Sequence, residues 1–266
     1  MKICLIGYGK MGKAIEYQAL KRGHTLTACL TSRDQDSLDT ALADSDVAIE
    51  FTRPESAPAN LQQCFRCGIP VVSGTTGWND RWDEIMQSAK EQGGSLVWSS
   101  NFSVGVNILF EVNRALARWM NEQGQYGIQI EEIHHIHKKD APSGTAVSLA
   151  QQILQENRHY TDWKLLPSDT GPNDIPIIAR REDEVIGYHE VCYRSTIDEL
   201  SIRHNAFSRD GFALGAVLAA EWLPGHQGVY TMKDVLGLKL SSYIPLDVLA
   251  AEWLPGHQGV YTMKAV

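Results

Sequence analysis

Short apolar runs separated by helical patterns fill the first part of this chain. Lys2-Ile3-Cys4-Leu5-Ile6 is a continuous apolar run of strand length, as expected of a strand buried on both faces. Gly7-Tyr8-Gly9-Lys10-Met11-Gly12 follows, then a helical pattern that reaches about Arg22 and stops at Gly23. Further strands are predicted from Thr25 to Leu30, Asp46 to Phe51, Pro70 to Ser73 and Ser95 to Trp98. Helices are predicted between them, one opened by Pro54 and reaching about Arg66, another from Arg81 to Gln92. Strands alternating with helices predict an α/β fold, a Rossmann-type doubly wound parallel sheet.

The pattern changes after Asn101. A helix is predicted from about Val104 to Met120, then strand-rich sequence from Ile128 to His204, interrupted by a helix after Ser143. Ile128 and Ile130 alternate with Gln129 and Glu131, but the next apolar residues are Ile133 and Ile136, so the strand pattern weakens there. Strands are also expected at Ile175 to Ile178, Val185 to Tyr193 and Glu199 to Ile202, and a last helix from Phe212 to Trp222. This predicts a second, α+β domain on a mostly antiparallel sheet, spanning 104–212. Residues 1–103 form the first domain, completed by 213–238. The remainder, 239–266, is a duplicated tail: Val248 to Lys264 repeats Val217 to Lys233 without a change. Two perfect copies are not the pattern of a structural repeat array, and the second lacks most of the preceding helix.

Composition narrows the function. A hydrophobic content of 43% and a net charge of −8 describe a soluble globular chain and argue against nucleic acid as its main partner. No apolar run is long enough to span a bilayer, and Gly7 and Lys10 cut short the N-terminal run that a signal peptide would need. Five cysteines, an odd number, suit a reducing cytoplasm. Cys64 and Cys67 form a CxxC with no second pair, so packing is the expected role.

Gly7-x-Gly9-x-x-Gly12 follows a strand and opens a helix, the context of a dinucleotide-binding loop. Gly7 allows the tight turn, Gly9 the approach of a pyrophosphate and Gly12 the helix–strand contact, with Tyr8, Lys10 and Met11 between them. The plain alternative is a glycine-rich turn with no ligand. After the second strand, where an acid would bind the ribose of NAD, stand Thr31-Ser32-Arg33, and Asp34 comes only after the arginine. Ser32 and Arg33 suit a 2′-phosphate, which favours NADPH, with NADH as the alternative. Gly74-Thr75-Thr76 and Ser99-Ser100-Asn101-Phe102 lie at the carboxyl ends of two strands, where such sheets bind ligands, and are expected to face the nicotinamide.

The densest chemistry is in Glu131-Glu132-Ile133-His134-His135-Ile136-His137-Lys138-Lys139-Asp140-Ala141-Pro142-Ser143-Gly144-Thr145-Ala146. Ser143 is a candidate N-cap, so the free N–H groups of the following helix offer an anion site beside lysine and histidine. A histidine there also suits proton donation near neutral pH. A metal is the rival reading: His135 and His137 would share one face of a strand and His134 the other, but the adjacent lysines disfavour a cation, so no metal is expected.

The run from His134 to Ala146, with the glycine loop, Phe51-Thr52-Arg53-Pro54-Glu55, Gly74-Thr75-Thr76-Gly77 and Asn101-Phe102-Ser103-Val104-Gly105, resembles the 4-hydroxy-tetrahydrodipicolinate reductase (dihydrodipicolinate reductase) family over residues 1–238. The resemblance implies hydride transfer from NADPH or NADH to a cyclic unsaturated dicarboxylate in lysine biosynthesis. It implies that His134 donates the proton, that Lys138 is its substrate-binding catalytic partner, and that His135, Gly144 and Thr145 bind substrate. It also implies a homotetramer joined through the second sheet. The glycine loop is one residue shorter than the form common in the family, and the acid after the second strand is missing; both bear on the choice of cofactor. An amino-acid dehydrogenase of similar architecture would share the glycine loop without needing the His-Lys-Ser-Gly-Thr segment, and a dinucleotide-sensing protein would not need the proton donor. Truncation after Leu238 is expected to leave folding and turnover unchanged; loss of either in the shortened chain would refute a dispensable tail.

Overall fold

The computed structural model describes residues 1–34 and 37–238; the duplicated tail, with the expectation that it is dispensable, lies outside the described residues. The first part of the chain runs β1 (Lys2–Ile6), α1 (Lys10–Lys21), β2 (Thr25–Leu30), α2 (Leu38–Ala43), β3 (Val47–Glu50), α3 (Ala57–Arg66), β4 (Val71–Ser73), α4 (Trp82–Gln92) and β5 (Ser95–Trp98). Then follow α5 (Val104–Met120), β6 (Gly127–His134), α6 (Gly144–Glu156), β7 (Asp162–Leu165), β8 (Asp174–Arg181), β9 (Gly187–Arg194) and β10 (Glu199–Ala206). The described chain closes with α7 (Asp210–Trp222), β11 (Gly228–Tyr230) and α8 (Met232–Val235). The helix expected to open at Pro54 begins at Ala57, with Pro58 in its first turn, where a missing N–H costs nothing.

The first sheet has the order β11-β5-β4-β3-β1-β2, and every pair in it is parallel. Its apolar runs are continuous because both faces are covered. Ile3 and Leu5 join one core with α1 and α7, whereas Cys4 and Ile6 join another with α3 and α4. The strand order reverses at β1 and β3, which opens a crevice at their carboxyl ends.

The second sheet, β10-β9-β6-β8-β7, is mixed: β9 pairs antiparallel with β6 and β10, but β6–β8 and β8–β7 are parallel. The helix expected after Ser143 is present between β6 and β7, and it accounts for the parallel part of a sheet expected to be mostly antiparallel. A crossover helix returns the chain to the same end of a sheet and so makes the strands parallel. Helices α5 and α6 cover one face, where Leu109, Leu116, Leu149 and Ile153 pack on Ile130, Ile177 and Val191. On β6 the alternation continues to the end of the strand: Ile133 turns outward, while Glu132 and His134 take the buried positions beyond Ile128 and Ile130. The strand stops at His134, so His135 and His137 stand in the following loop and not on a strand face.

Helix α7 packs beneath the loop that follows β5 and leads to α5. A Cβ on Gly215 would lie 1.7 Å from the Phe102 carbonyl oxygen, a backbone atom that cannot swing aside. Alanine in a helix normally stabilises by about 1 kcal/mol over glycine, but overpacking against backbone costs about 1–3 kcal/mol. Gly215→Ala is therefore expected to lower the urea midpoint of unfolding; a midpoint at or above that of the wild type would contradict this packing.

Candidate active site

The glycine loop lies in the crevice. Gly7 has φ +101°, and a Cβ there would come within 2.0 Å of the Phe51 carbonyl oxygen, so only glycine fits. A Cβ on Gly12 would meet the Gly7 carbonyl at 2.3 Å, which keeps α1 against β1. Gly9, the N-cap of α1, differs: nothing lies within 4 Å of its missing Cβ, and no side chain caps the helix. The first-turn N–H groups, with Lys10 and Met11 beside them, are thus left for an outside acceptor. Tyr8 is held by a hydrogen bond from its hydroxyl to Glu16.

In front of this helix end is a cleft of about 310 Å³, which Tyr8, Ser32, Asp34, Thr52 and Arg53 help to line. Asp34 accepts hydrogen bonds from the Thr31 N–H at 2.8 Å and the Thr31 hydroxyl at 2.7 Å, which hold its carboxyl below the usual range. It therefore closes its own turn. Ser32 faces the cleft and Arg33 is exposed next to it. Arg53 was not singled out by the cofactor pattern, although it follows β3 at the switch point, where that pattern directs attention.

Loop 74–76 is fixed from below and from the side. Glu50 ends β3 with 0% exposure. Its carboxylate accepts from Ser73 Oγ at 2.6 Å, Thr75 Oγ1 at 2.9 Å, the Thr52 N–H at 3.0 Å and the Thr52 hydroxyl. The Thr75 carbonyl in turn accepts the indole N–H groups of Trp78 at 2.7 Å and Trp98 at 3.0 Å. Gly74 makes room for the Phe51 ring, whose nearest atom would lie 2.1 Å from a Cβ. Thr76 and Ser100 are exposed beside this loop and the next. Phe102 is buried, 5.7 Å from Phe51 between ring centroids.

Loop 99–102 reaches the second sheet. Ser99 Oγ donates to the Asn101 carbonyl at 2.7 Å, and Asn101 Oδ1 accepts the Ser103 N–H at 2.9 Å, at the start of α5. Asn101 Nδ2 then donates to Thr145 Oγ1 in the first turn of α6 at 3.4 Å. Ser143 caps that helix as expected, its Oγ accepting from the Ala146 N–H at 3.2 Å. Among the described residues, the N–H groups of Gly144 and Thr145 have no partner, and nothing lies within 4 Å of a Cβ on Gly144.

The histidine segment is organised by a residue that was not predicted. Glu132 is fully buried on β6, and one carboxylate oxygen is bonded to His134 Nδ1. The other accepts Arg181 Nη1 and Nη2, each at 3.1 Å, and the Ser143 N–H at 3.2 Å. Burial by itself would raise the Glu132 carboxyl, but the hydrogen bonds and charges of His134 and Arg181 outweigh it and hold the group below the ordinary value. Arg181 also donates to the carbonyls of Asp140 at 2.6 Å and Lys138 at 3.3 Å, so it clamps the turn that carries the lysine. Lys138 Nζ lies 2.8 Å from both oxygens of Asp140, whose carboxyl is lowered by that contact.

His189 completes the cluster. Its ring meets that of His134 edge-on with 5.0 Å between centroids, and burial pushes it down to about 3, so it is neutral. The Ser143 hydroxyl, already accepting from Ala146, is hydrogen-bonded to His189 Nε2 over 3.0 Å. His134 Nε2 borders Gly187, where a Cβ would come within 3.2 Å, so glycine keeps that nitrogen clear. His135 is half-buried, with Nδ1 unpaired. Register brings the unpredicted members together: β8 sets Arg181 beside His134, and β9 sets His189 beside Glu132. Glu132 and His134, a polar pair two residues apart on an otherwise apolar face, were the signal available in the sequence.

Ligand atoms of Glu132, His134 and His189 lie within 4.8 Å of one another, a grouping that can hold a metal ion. Glu132 is already neutralised by Arg181 and its oxygens are engaged, so the arrangement favours a hydrogen-bonded proton donor over a cation. Together the site offers two helix ends for anions, a lysine, and a histidine with one free nitrogen.

Comparison with known proteins agrees with this geometry. The family described as dihydrodipicolinate reductase, N-terminus, matches residues 1–102, and its C-terminus counterpart matches residues 105–236. A 4-hydroxy-tetrahydrodipicolinate reductase from Christiangramia forsetii is 47% identical over 236 residues, covering 89% of this chain and 98% of that protein. The protein of the same description from Neisseria meningitidis serogroup C is 41% identical over 209 residues, covering 76% of this chain and 77% of its own length. In fold, the chain is similar to a dipicolinate-bound dihydrodipicolinate reductase from Paenisporosarcina sp. TG-14, with a TM-score of 0.71 at 18% identity over 87% of this chain and 97% of that one. Both halves of the family match in order along the chain, and the sheets, the glycine loop and the His-Lys-Ser-Gly-Thr segment occur together: this protein belongs to the dihydrodipicolinate reductase family.

Proposed function

We propose that the chain reduces 4-hydroxy-tetrahydrodipicolinate to tetrahydrodipicolinate with NAD(P)H, a step of lysine biosynthesis. The observation that carries this reading is the contact of Asn101 with Thr145, which joins the edge of the dinucleotide cleft to the anion-binding start of α6. Residues 1–103 with 213–238 form the cofactor domain and 104–212 the substrate domain. The open Gly9 turn and the cleft in front of it fit a dinucleotide. Bound there, NAD(P)H supplies the hydride.

The protein's own groups supply the rest. The unpaired N–H groups of Gly144 and Thr145 bind one carboxylate of the substrate, with Lys138 turning from Asp140 to the same anion and His135 beside it. Glu132 accepts from His134 Nδ1, which fixes the ring and leaves Nε2, beside Gly187, to deliver the proton. Arg181 neutralises Glu132 and holds the Lys138 turn in reach.

NADPH is the favoured cofactor, because Asp34 is consumed by its own turn while Ser32 and Arg33 are exposed at the cleft, where a 2′-phosphate would meet them. Gly7, Tyr8, Gly9, Lys10, Met11 and Gly12 hold the pyrophosphate end, and Gly74, Thr75, Thr76, Ser99, Ser100, Asn101 and Phe102 the nicotinamide end. The uncovered face of the second sheet, with Glu131, Tyr188, Glu190 and Arg203, is the surface for a homotetramer in the cytoplasm. Among the described residues no helix is long and apolar enough to cross a membrane.

His134→Gln and Lys138→Ala are each expected to lower kcat by about 100-fold or more with cofactor binding intact, as befits a lost acid and a lost anion contact. Wild-type turnover in either variant would refute the assigned roles, and turnover absent from the wild type itself would favour a dinucleotide sensor. Arg33→Ala should weaken NADPH about tenfold while sparing NADH, since one charge-assisted contact is lost. Equal losses for both cofactors in titrations would exclude Arg33 as the phosphate partner.

A further inference from the structure

Glu50 is the buried charge for which the reaction outlined above has no use. It sits at the carboxyl end of β3, where β1 and β4 flank it through Ile6 and Ser73. The groups that surround it are hydroxyls and one backbone N–H. Thr52 Oγ1 accepts from Asn60 Nδ2 at 3.4 Å, so its hydrogen is directed at Glu50; Ser73 and Thr75 donate as well. Four donors converge on the two carboxylate oxygens, three of them on Oε1, and this crowding favours the ionised form, which only accepts.

No ion pair balances that charge among the described residues. Glu132, the comparable buried acid of the second sheet, has Arg181 at 3.1 Å. Glu50 has no such partner: burial raises its carboxyl, and only hydrogen bonds oppose this. An uncompensated carboxylate at 0% exposure is costly unless something that binds beside it is positive. Its donors stand on Thr52, in the loop after β3 that lines the cleft, on Ser73 at the end of β4, and on Thr75, in the loop proposed to hold the nicotinamide.

We propose that Glu50 is the built-in counter-charge for the nicotinamide ring, which becomes a cation when its hydride leaves. Both electrons of the broken C–H bond go to the substrate with the hydride, the ring nitrogen is left positive, and the Glu50 carboxylate favours that product state. Glu50 touches neither substrate nor the transferred hydrogen; it acts through the field it places under loops 51–53 and 74–76. The inference rests on the dinucleotide reading given above.

Glutamine is a close replacement. Its carbonyl oxygen can take the three donors on Oε1, and its amide can donate to Ser73 Oγ, so the charge is removed with little change in shape. The test is the dissociation constant of NADP⁺ divided by that of NADPH, measured by titration calorimetry without substrate. A role confined to holding the loops would weaken both forms alike. Glu50→Gln is expected to raise the ratio about tenfold, the order of effect of one charge acting through an effective protein dielectric. That corresponds to about 30 mV in the potential of the bound couple. Glu50→Asp, which keeps the charge, should leave the ratio near its wild-type value. An unchanged ratio in Glu50→Gln overturns the proposal while leaving the dinucleotide site standing. Failure of the wild type to bind either form overturns the dinucleotide reading itself. Should Glu50→Gln not fold, the wild type alone decides: it must bind NADP⁺ at least as well as a tetrahydronicotinamide analogue of NADPH, whose ring is neutral. Tighter binding of the neutral ring overturns the proposal.

Discussion

The Glu132 carboxylate is the fixed point of the histidine segment on the second sheet. Removing it from water is costly, and the cost is met only because donors from three separate segments converge on it: His134 on its own strand, Arg181 on β8 and the Ser143 backbone before α6. Each of these connections fixes one group of the proposed site. The histidine ring is turned by its Nδ1 contact, the lysine turn is clamped through Arg181, and the helix start is drawn in through Ser143. A buried ion pair of this kind adds little net stability, but it specifies one arrangement over all others.

The cofactor half achieves the same rigidity with glycine and hydroxyl groups. Gly7 and Gly74 exist because Phe51 occupies the space a side chain would need, by its carbonyl in one case and its ring in the other. The crevice is therefore shaped by the residue that follows β3, and Thr52, Thr75 and Ser73 converge on the acid that precedes it. Loop 99–102 links this assembly to the first turn of α6, so the two proposed ligand ends are joined by a hydrogen bond from Asn101 to Thr145.

Much of this was legible in the sequence, for reasons that can be named. Continuous apolar runs reveal strands covered on both faces, and the glycine loop and capped helix depend on local backbone geometry, which short patterns encode. The pairing of the second sheet was less legible, because strand direction follows from a crossover and not from periodicity. Its slipped alternation at Ile133 misled for a related reason: the buried positions there carry Glu132 and His134, so polar residues occupy core sites. Arg181 and His189 left no local trace at all. They reach the site only through register, in strands distant from the histidine segment. Glu50 resembled the end of an ordinary apolar strand until its donors from neighbouring loops were in place.

The interleaving of the two sheets has a consequence for how the chain is made. The cover that α7 gives to Ile3, Leu5, Val47 and Ile49 is encoded after the whole second sheet, as is the edge strand β11 that pairs with β5. A chain emerging from its N-terminus therefore holds an unfinished first sheet, with one face partly bare, throughout synthesis of the substrate half. Residues that lie far apart in sequence must meet before the Phe102–Gly215 joint can close. Helix α7 is thus a latch for the first sheet, and the crevice beside it is complete only when nearly the entire described chain has left the ribosome.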